Sequence, residues 1–382
     1  MDFEFLESYY RTYFPCNDLC RWLNQGIMLE TDNPLDNKSY FERREFSFYL
    51  QGDVSCRHIS FSSPGEFREQ LIHDKPEKFG IGAVYTIPPK TKNLKDKEIK
   101  YEPVEREFVI DIDMTDYDKV RTCCSGAVVC QLCWKFMVLA CKSIDTILKE
   151  LFGFKINLWI YSGRRGVHCW VCDPAARRLN DFKRKALIEF LNSGPNSNSR
   201  FLEICWEIFK PRFEEIIVQD QKLFENQERL NECVEIINEE LGTDSKFTVK
   251  GSSEETWAEI LEFIDSQPDP QLIDQIKYKI CFKYLYPRLD IYVSMEMTNL
   301  LKSPFSVHPK TGNISIPILV ENVENFRVDK VPNLAGLCEG TDDLTPYVEI
   351  LNNVSDQLRE SNRKDRKRRS AISHVQNVEP RL

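Results

Sequence analysis

The chain has 382 residues, of which 42% are hydrophobic and 12% aromatic, and its 51 basic and 60 acidic side chains give a formal net charge of −9. This composition excludes a disordered or collagen-like chain. The negative average field argues against general nucleic-acid binding, so a polyanion substrate needs a local basic cluster or bound cations. The longest apolar run, residues 136–141, is too short to span a membrane, and the N-terminal residues lack a secretory signal pattern. We therefore expect an intracellular protein with no membrane contact.

The first half of the chain predicts alternating helices and strands. Turn-forming clusters divide the first hundred residues into short elements. Period-two alternation then predicts a strand over residues 106–114, and apolar residues at helical spacing predict a long amphipathic helix over 132–151. Two strands follow over 157–161 and 167–171, joined by a tight loop.

The second half begins with helical patterning from residue 173 to about 270, which predicts a helical subdomain. Strand patterning returns at 289–293 and 314–319. The last segment, 359–382, is basic and poor in apolar residues, and it predicts a frayed or disordered tail. Its basic run could be a nuclear-import signal or simply a solvated tail.

Acidic residues interrupt the predicted strand 106–114. Alternation sends Asp111 and Asp113 to one face, where the carboxylates stand about 6–7 Å apart along the strand. Like charges this close repel each other, and a divalent cation is the usual remedy, although a solvated acidic face on an edge strand is the alternative. Asp290 has the same placement in the strand-like segment 288–293, where on its own it would be a structural or capping residue. Three carboxylates on adjacent strands could hold two Mg²⁺ or Mn²⁺ ions.

The loop between the two later strands predicts an anion site. Its sequence is Ser162-Gly163-Arg164-Arg165-Gly166-Val167-His168. The glycines allow a tight turn whose amides face a ligand, and the adjacent arginines offer forked donors that match phosphate oxygens. An exposed hairpin tip is the plainer alternative, but the apolar, aromatic flanks favour a binding site. A second, Pro-flanked loop over residues 302–312 adds the cationic side chains Lys302 and His308.

Four cysteines before the long helix predict a metal site. They are Cys123, Cys124, Cys130 and Cys133. The C-x2-C half can chelate a tetrahedral Zn²⁺ from one turn, whereas the adjacent pair is a less usual donor set. Cys169 and Cys172 share the C-x2-C spacing, but on a strand they point to opposite faces and are expected in the core.

Four segments stand out when they are taken together. They are Phe-Val-Ile-Asp-Ile-Asp-Met-Thr-Asp-Tyr-Asp from Phe108, Tyr-Ser-Gly-Arg-Arg-Gly-Val-His-Cys-Trp-Val from Tyr161, Pro-Arg-Leu-Asp from Pro287, and Leu-Lys-Ser-Pro-Phe-Ser-Val-His-Pro-Lys-Thr-Gly from Leu301. This combination closely resembles the small, catalytic subunit of the eukaryotic DNA primase, in the archaeo-eukaryotic primase superfamily. The resemblance spans about residues 5–320.

The resemblance implies a mixed α/β catalytic core and a template-directed RNA polymerase that starts chains without a primer. Such an enzyme makes short RNA primers from ribonucleoside triphosphates on single-stranded DNA for replication. By this similarity Asp111, Asp113 and Asp290 hold two catalytic Mg²⁺ or Mn²⁺ ions, and the four cysteines hold one structural zinc ion. The implied nucleotide-binding residues are Glu45, Arg57, Ser162, Gly163, Arg164, Arg165, Gly166, His168, Lys302 and His308.

The resemblance also implies partners and a location. The partners are the large primase subunit and the DNA polymerase α complex, and the location is the nucleus. One position departs from the family's pattern, because Gly80 stands where an acid is expected. That departure calls into question a ribose-sensing role for this position.

The domain organisation that we predict has four parts. They are the first part of the catalytic core at 1–176, with the zinc module at about 115–135; the helical subdomain at 177–266; the second part of the core at 267–350; and a C-terminal helix with a basic, disordered tail at 351–382.

Three other functions are open on the sequence alone. A related repair-type primase-polymerase would extend primers readily with deoxynucleotides. A non-catalytic zinc-containing scaffold would only bind nucleic acid. A two-metal nuclease would share the carboxylates, but it gives no reason for a triphosphate-sized set of cations.

Overall fold

A computed structural model describes residues 3–29, 40–93, 100–194 and 199–376. It has the expected mixed α/β fold, built on two antiparallel sheets. The strands are β1 (Arg44–Leu50), β2 (Val54–Ile59), β3 (Lys78–Tyr85), β4 (Pro103–Glu105), β5 (Phe108–Asp113), β6 (Asn157–Tyr161), β7 (Gly166–Val171), β8 (Leu301–Lys302) and β9 (Pro317–Ile318). The α-helices are α1 (Phe3–Ser8), α2 (Cys16–Leu23), α3 (Pro64–Asp74), α4 (Gln131–Leu151), α5 (Pro174–Arg177), α6 (Asp181–Asn192), α7 (Ser199–Phe209), α8 (Gln227–Leu241), α9 (Ser253–Asp265), α10 (Pro270–Leu285), α11 (Ile291–Met295), α12 (Leu334–Glu339) and α13 (Thr345–Gln376).

The first sheet has the strand order β2-β1-β3-β4, and the short strand β8 joins it by pairing with β3. An aromatic cluster packs on β1 and β3, with ring centroids 4.9 to 6.2 Å apart: Phe46, Phe48, Phe61, Phe67 and Phe79. This buried cluster anchors β3. Because β8 pairs with β3, Lys302 lies opposite Gly80 and is tied to the same scaffold.

The second sheet has the strand order β5-β7-β6-β9. β5 and β7 pair along their whole length, which places Asp111 opposite His168 and Asp113 opposite Gly166. Every residue of β7 is buried, since α4 packs against this strand and Trp170 meets Trp22 of α2 edge-on. Burial on both faces explains why the strand reads as a nearly continuous apolar run.

Several sequence-based predictions are confirmed. The predicted long helix is α4, the predicted strand 106–114 contains β5, and the predicted strand pair is β6 and β7. The helical patterning from residue 173 corresponds to α5 through α9 and continues into α10. Cys169 and Cys172 are both buried in the core, as expected.

Three predicted elements differ. Residues 289–293 were expected to form a strand, but Asp290 caps the short helix α11 by accepting a hydrogen bond from the Tyr292 N–H. So short an apolar alternation does not separate strand from helix, and the capping carboxylate decides the outcome. Within 314–319, only β9 forms a strand, although Ile314 makes an isolated bridge.

The tail prediction is wrong for residues 359–376, because α13 continues through them. Polar contacts hold the helix to the core: Asn362 is buried and accepts a 2.8 Å hydrogen bond from Arg177, and Arg178 pairs with Asp365 at 3.1 Å. These contacts join residues far apart in sequence, so composition alone does not reveal them. Residues 377–382 lie outside the described residues.

Buried arginines support the entry to β5. Arg44 and Glu107 form an ion pair of 2.7 Å with almost no exposure of either side chain. Arg184 donates to the backbone carbonyls of Arg106 and Glu107. Arg106 in turn donates to the Glu296 carbonyl at 2.8 Å, just beyond α11. The start of β5 and the segment that follows Asp290 are therefore tied to one buried network.

We predict that Arg44→Met destabilises the protein by about 3–5 kcal/mol, because it leaves the Glu107 carboxylate buried without its partner. Urea unfolding measures the change. The matched control is Arg11→Met, which removes a far more exposed ion pair with Glu7 and should change stability little. Equal unfolding midpoints for the two variants would contradict this account of the network.

Candidate active site

Two elements bring the three predicted acids towards each other. β5 places Asp111 and Asp113 on one face. Asp290 reaches the same region because its N–H donates to the Asp111 carbonyl at 3.0 Å. The Ser294 hydroxyl adds a second link by donating to the Val109 carbonyl. The third acid thus sits beside β5 through backbone contacts rather than as part of a neighbouring strand.

The acids have opposite electrostatic environments. Burial, followed by the charges of Asp290 and Asp113, raises the pKa of Asp111 to about 7. Burial also opposes ionisation of Asp113, but hydrogen bonds from Thr115 and Arg165 outweigh it and lower the pKa of Asp113. Arg165 donates to Asp113 at 2.8 Å. Ionisation of Asp113 is therefore favoured. Ionisation of Asp111 is disfavoured, and a cation beside Asp111 would offset that cost.

The sequence analysis missed a fourth acid, Asp116. Burial and then the charges of Asp113 and Asp290 raise the pKa of Asp116. It lies in the short 3₁₀ turn Met114–Tyr117 that follows β5. The available signal was the third Asp in the acidic run 111–116.

The donor set fits divalent cations, which favour clustered carboxylate oxygens. Among the described residues, the one group of three or more ligand atoms that all lie within 4.8 Å of one another is the cysteine set, so the three acids are more widely spaced. Hydrogen bonds from Thr115 and Arg165 hold the Asp113 carboxylate in place. Two ions about 4 Å apart would suit a spread set better than one ion would.

The loop between β6 and β7 is a tight turn closed by Ser162. The Ser162 N–H donates to the Gly166 carbonyl at 2.9 Å, and the Gly166 N–H donates to the Ser162 hydroxyl at 3.0 Å. Gly163 has φ +91°, and a Cβ there would lie 2.9 Å from the Cβ of His308. Glycine is therefore required both by the backbone and by the close approach of the second loop.

The second predicted loop packs directly on this turn. Lys302 donates to the Ser162 carbonyl at 2.8 Å, and the Thr311 hydroxyl donates to the Gly163 carbonyl at 2.9 Å. The structure thus brings together the two basic segments, which lie about 140 residues apart in sequence.

Burial keeps several of these basic groups close to neutrality. Burial, together with the positive charge of Lys78, lowers the pKa of Lys302 to about 7. Burial and the charge of Lys302 lower the pKa of His168 to about 3 and that of His308 to about 4. His168 Nε2 lies 3.6 Å from an Asp111 oxygen. A polyanion would restore positive charge on these groups, because it stabilises their protonated forms.

A cavity of about 310 Å³ collects most of the predicted residues. It is lined by Asp111, Asp113, Ser162, Arg164, Arg165, Gly166, His168, Lys302 and His308, together with apolar residues of the 293–301 segment. The two carboxylates lie against the cationic groups, with Asp113 2.8 Å from Arg165 and Asp111 3.6 Å from His168 Nε2. The arrangement suits a phosphorylated ligand held next to acidic side chains.

Glu45 and Arg57 do not line this cavity. They form an ion pair of 3.2 Å, and Arg57 also donates to the Thr298 carbonyl at 3.0 Å. Glu45 is fully buried and accepts a hydrogen bond from Tyr85 at 3.0 Å. Their visible role is to tie the first sheet to the segment beyond α11.

A larger cavity, of about 660 Å³, adjoins the same acids. Asp111 and Asp113 line both cavities, and Asp290 lines the larger one. Arg288 and Tyr292, which the sequence analysis did not single out, also line it. Asp111 and Asp113 therefore border both cavities.

The four predicted cysteines form a compact sulfur cluster before α4. Cys130 Sγ lies 3.6 Å from Cys123 Sγ and 3.9 Å from Cys133 Sγ. A tetrahedral site with metal–sulfur bonds of about 2.3 Å requires sulfur atoms about 3.8 Å apart. Gln221 accepts hydrogen bonds from the Thr122 and Cys123 N–H groups, which ties the cluster to the helical region. These residues could hold one metal ion.

Acidic side chains next to two cationic loops are typical of one class of site, that of enzymes that transfer phosphoryl groups. Comparison with known proteins narrows this class. The family model of the DNA primase small subunit matches residues 110–320. The DNA primase small subunit of Drosophila melanogaster is 36% identical over 87% of this chain and 80% of its own length. That of Saccharomyces cerevisiae is 35% identical over 87% of this chain and 84% of its own length.

A more distant archaeal relative, a DNA primase small subunit of Archaeoglobus fulgidus, is 23% identical over 77% of this chain and 78% of its own length. The chain belongs to the DNA primase small subunit family. In the part of the chain that the structure describes, no helix is long and apolar enough to cross a membrane.

We predict that sulfate, whose charge is constant across this range, binds the smaller cavity on the order of tenfold more tightly at pH about 7 than at pH about 8.5. The depressed pKa of Lys302 means that this side chain is half protonated near pH 7 and loses its charge as the pH rises. Calorimetric titration in metal-free buffer measures the affinities.

The control for this prediction is Lys302→Arg, which keeps its charge at both pH values. Its sulfate affinity should depend less on pH than that of the wild type. An identical pH dependence in the two proteins would show that Lys302 is not the titrating group.

Proposed function

We propose that this chain makes short RNA primers on single-stranded DNA from ribonucleoside triphosphates, using Asp111, Asp113 and Asp290 as its catalytic acids. Membership of the family makes it a DNA primase catalytic subunit, an enzyme that transfers nucleotides. The observation that carries the residue-level proposal is that Asp111 and Asp113 line both the cationic cavity and the larger cavity.

The nucleotide enters the smaller cavity with its phosphates towards the cationic loops. Arg164 and Lys302 supply charge, the Ser162 region supplies the tight turn, and His168 and His308 flank it. These groups hold the β- and γ-phosphates and stabilise negative charge as it develops on the leaving group. Arg165 also holds Asp113, so it couples phosphate binding to the orientation of that carboxylate.

In the reaction, the 3′-oxygen of a nucleotide forms a bond to the α-phosphorus of the bound triphosphate. The bond from the α-phosphorus to its bridging oxygen breaks, pyrophosphate leaves with the electron pair, and the hydroxyl proton passes to water. When bound, two Mg²⁺ or Mn²⁺ ions supply Lewis-acid stabilisation of the attacking and leaving oxygens. Asp111, Asp113 and Asp290 would hold them, and no side-chain general base is needed.

The remaining assignments follow the same proposal. Glu45 and Arg57 position the first sheet against the site. The sulfur cluster holds a single structural zinc ion, and the chain divides into the catalytic core at 1–176 and 267–350 with a helical subdomain at 177–266. The chain works in the nucleus with a large primase subunit and the DNA polymerase α complex. Family membership and the acidic overall charge, which leaves template binding to local cations and a partner, support these points.

We predict that Asp111→Asn lowers dinucleotide synthesis on unprimed single-stranded DNA by about 100-fold or more, because it removes a central carboxylate. The variant should still fold. Because the pKa of Asp111 is raised to about 7, the wild type loses stability as the pH rises and this carboxyl ionises. The asparagine variant has no carboxyl to ionise, so in metal-free buffer at pH about 8 it should melt at a temperature equal to or higher than that of the wild type.

The matched control is Asp329→Asn, an exposed acid paired with Arg327. It should retain full synthesis. Retained synthesis by Asp111→Asn would contradict the catalytic assignment, and release of mononucleotides from the template by the wild type would favour a nuclease.

We predict that the purified chain carries about one zinc ion and that Cys130→Ser loses most of it, since a hydroxyl is a poorer zinc ligand than a thiolate. Elemental analysis measures the zinc content. Cys205→Ala, which removes a buried thiol of α7 outside the cluster, should retain the metal. Equal zinc content in the two variants would contradict the assignment.

A further inference from the structure

The end of helix α13 carries an exposed run of positive charge. Between residues 359 and 369, seven basic side chains stand against two acidic ones, a difference of +5 in a chain whose formal net charge is −9. We call six exposed side chains of this stretch the α13 basic run: Arg363, Lys364, Arg366, Lys367, Arg368 and Arg369.

Contacts with the core fix the position of the α13 basic run. Arg178 donates to both carboxylate oxygens of Asp365, at 3.1 and 3.2 Å, and Arg177 donates to the Asn362 side chain at 2.8 Å. The Arg177 carbonyl in turn accepts a 3.1 Å hydrogen bond from the Arg106 N–H, just before β5. The basic run is therefore held on a helix that is fastened to the catalytic sheet.

The α13 basic run lacks acids that would balance its charge. Arg178 already occupies the carboxylate of Asp365, and the exposed Glu360 pairs with Lys364 at 2.7 Å. Across the described ranges, no carboxylate lies within ion-pair distance of the other four side chains considered: Arg363, Lys367, Arg368 and Arg369. Two pairs of cations in the run stand four residues apart, where like charges destabilise a helix. A polyanion bound along the run would offset this repulsion.

The charge of the whole chain indicates which polyanion this is. Because the net charge is negative, a nucleic acid is repelled on average and is held only where cations gather. The cations of the smaller cavity are assigned to the incoming triphosphate, which leaves the rest of the template strand without a basic surface there. A nuclear-import receptor could also bind a basic run, but it would not require the run to be fastened to the catalytic sheet.

Strand β5 sets the distance between the α13 basic run and the catalytic acids. Arg177 lies beside Arg106 at the start of the strand, whereas Asp111 and Asp113 lie at its end. At about 3.3 Å per residue, these acids lie about 16 and 23 Å from Arg106. That distance exceeds the screening length of about 8 Å at physiological salt. The run therefore acts on a strand that is long enough to touch it, and not on the acids themselves.

We propose that the α13 basic run binds the phosphate backbone of the single-stranded template several nucleotides away from the site of synthesis. This inference rests on the proposed function and adds a second contact with the template to it. Because phosphate contacts carry no sequence information, the run increases affinity for any template sequence.

The test replaces four cations of the full chain by glutamine, which preserves helix propensity: Arg363→Gln, Lys367→Gln, Arg368→Gln and Arg369→Gln. On a template of about 30 nucleotides, the template KM for dinucleotide synthesis should rise at least about tenfold at low salt, while kcat and the nucleotide KM stay within about twofold. Fluorescence anisotropy should show that the slope of log affinity against log salt falls by about three, since each phosphate contact on a single strand contributes about 0.7.

The matched control removes four exposed positive charges elsewhere on the surface: Lys155→Gln, Lys222→Gln, Lys246→Gln and Lys330→Gln. It has the same net charge as the test variant, and its template KM should stay close to that of the wild type. On a template of about four nucleotides the test variant and the wild type should have the same template KM, because a strand this short in the site of synthesis does not reach α13.

Equal effects of the test and control variants would overturn the inference, because net charge alone would then explain them. An unchanged template KM in the test variant, with an active wild type, would also overturn it, and loss of binding to a purified nuclear-import receptor by that variant would assign the run to import instead. Failure of the wild type to make any primer would contradict the proposed function itself, so the two failures are distinguishable.

Discussion

The crowding of negative charge at the end of β5 is the constraint on which the rest of the structure depends. Asp111 and Asp113 share one strand face, and Asp290 is fastened beside them by a backbone hydrogen bond. The two carboxylates of β5 differ in their environment. Arg165 pairs with Asp113 and neutralises its charge, whereas the pKa of Asp111 stays raised. A divalent cation bound beside these carboxylates would offset the cost of ionising Asp111.

Contacts from both sheets hold the acids close together. β7 pairs along the whole of β5 and begins at the 162–166 turn, so the turn and the acids are in fixed register. β8 links the first sheet to the same turn through Lys302. Buried arginines, with Arg106 reaching the Glu296 carbonyl, hold the segment that carries Asp290. Two sheets and a buried charge network thus converge on one small region.

The sequence predicted those features whose cause is local. The alternation around Asp111 and Asp113 was enough to place both on one face of a strand, and the glycines of the 162–166 loop were enough to predict a tight turn. It failed for the segment 289–293, because five residues of apolar alternation cannot distinguish a strand from a capped turn of helix. It also failed for residues 359–376 at the end of α13, which are held by contacts of Asn362 and Asp365 with residues almost 190 positions away.

The larger cavity was also beyond the reach of local patterns. Arg288 and Tyr292 line this cavity only because α10, α11 and β5 meet there, and no periodicity in the sequence connects them. The most direct test of the central claim is anomalous diffraction from crystals soaked in Mn²⁺. The account predicts manganese within coordination distance of Asp111, Asp113 and Asp290, with Asp113 turned away from Arg165. Manganese bound elsewhere, with these three carboxylates unligated, would contradict it.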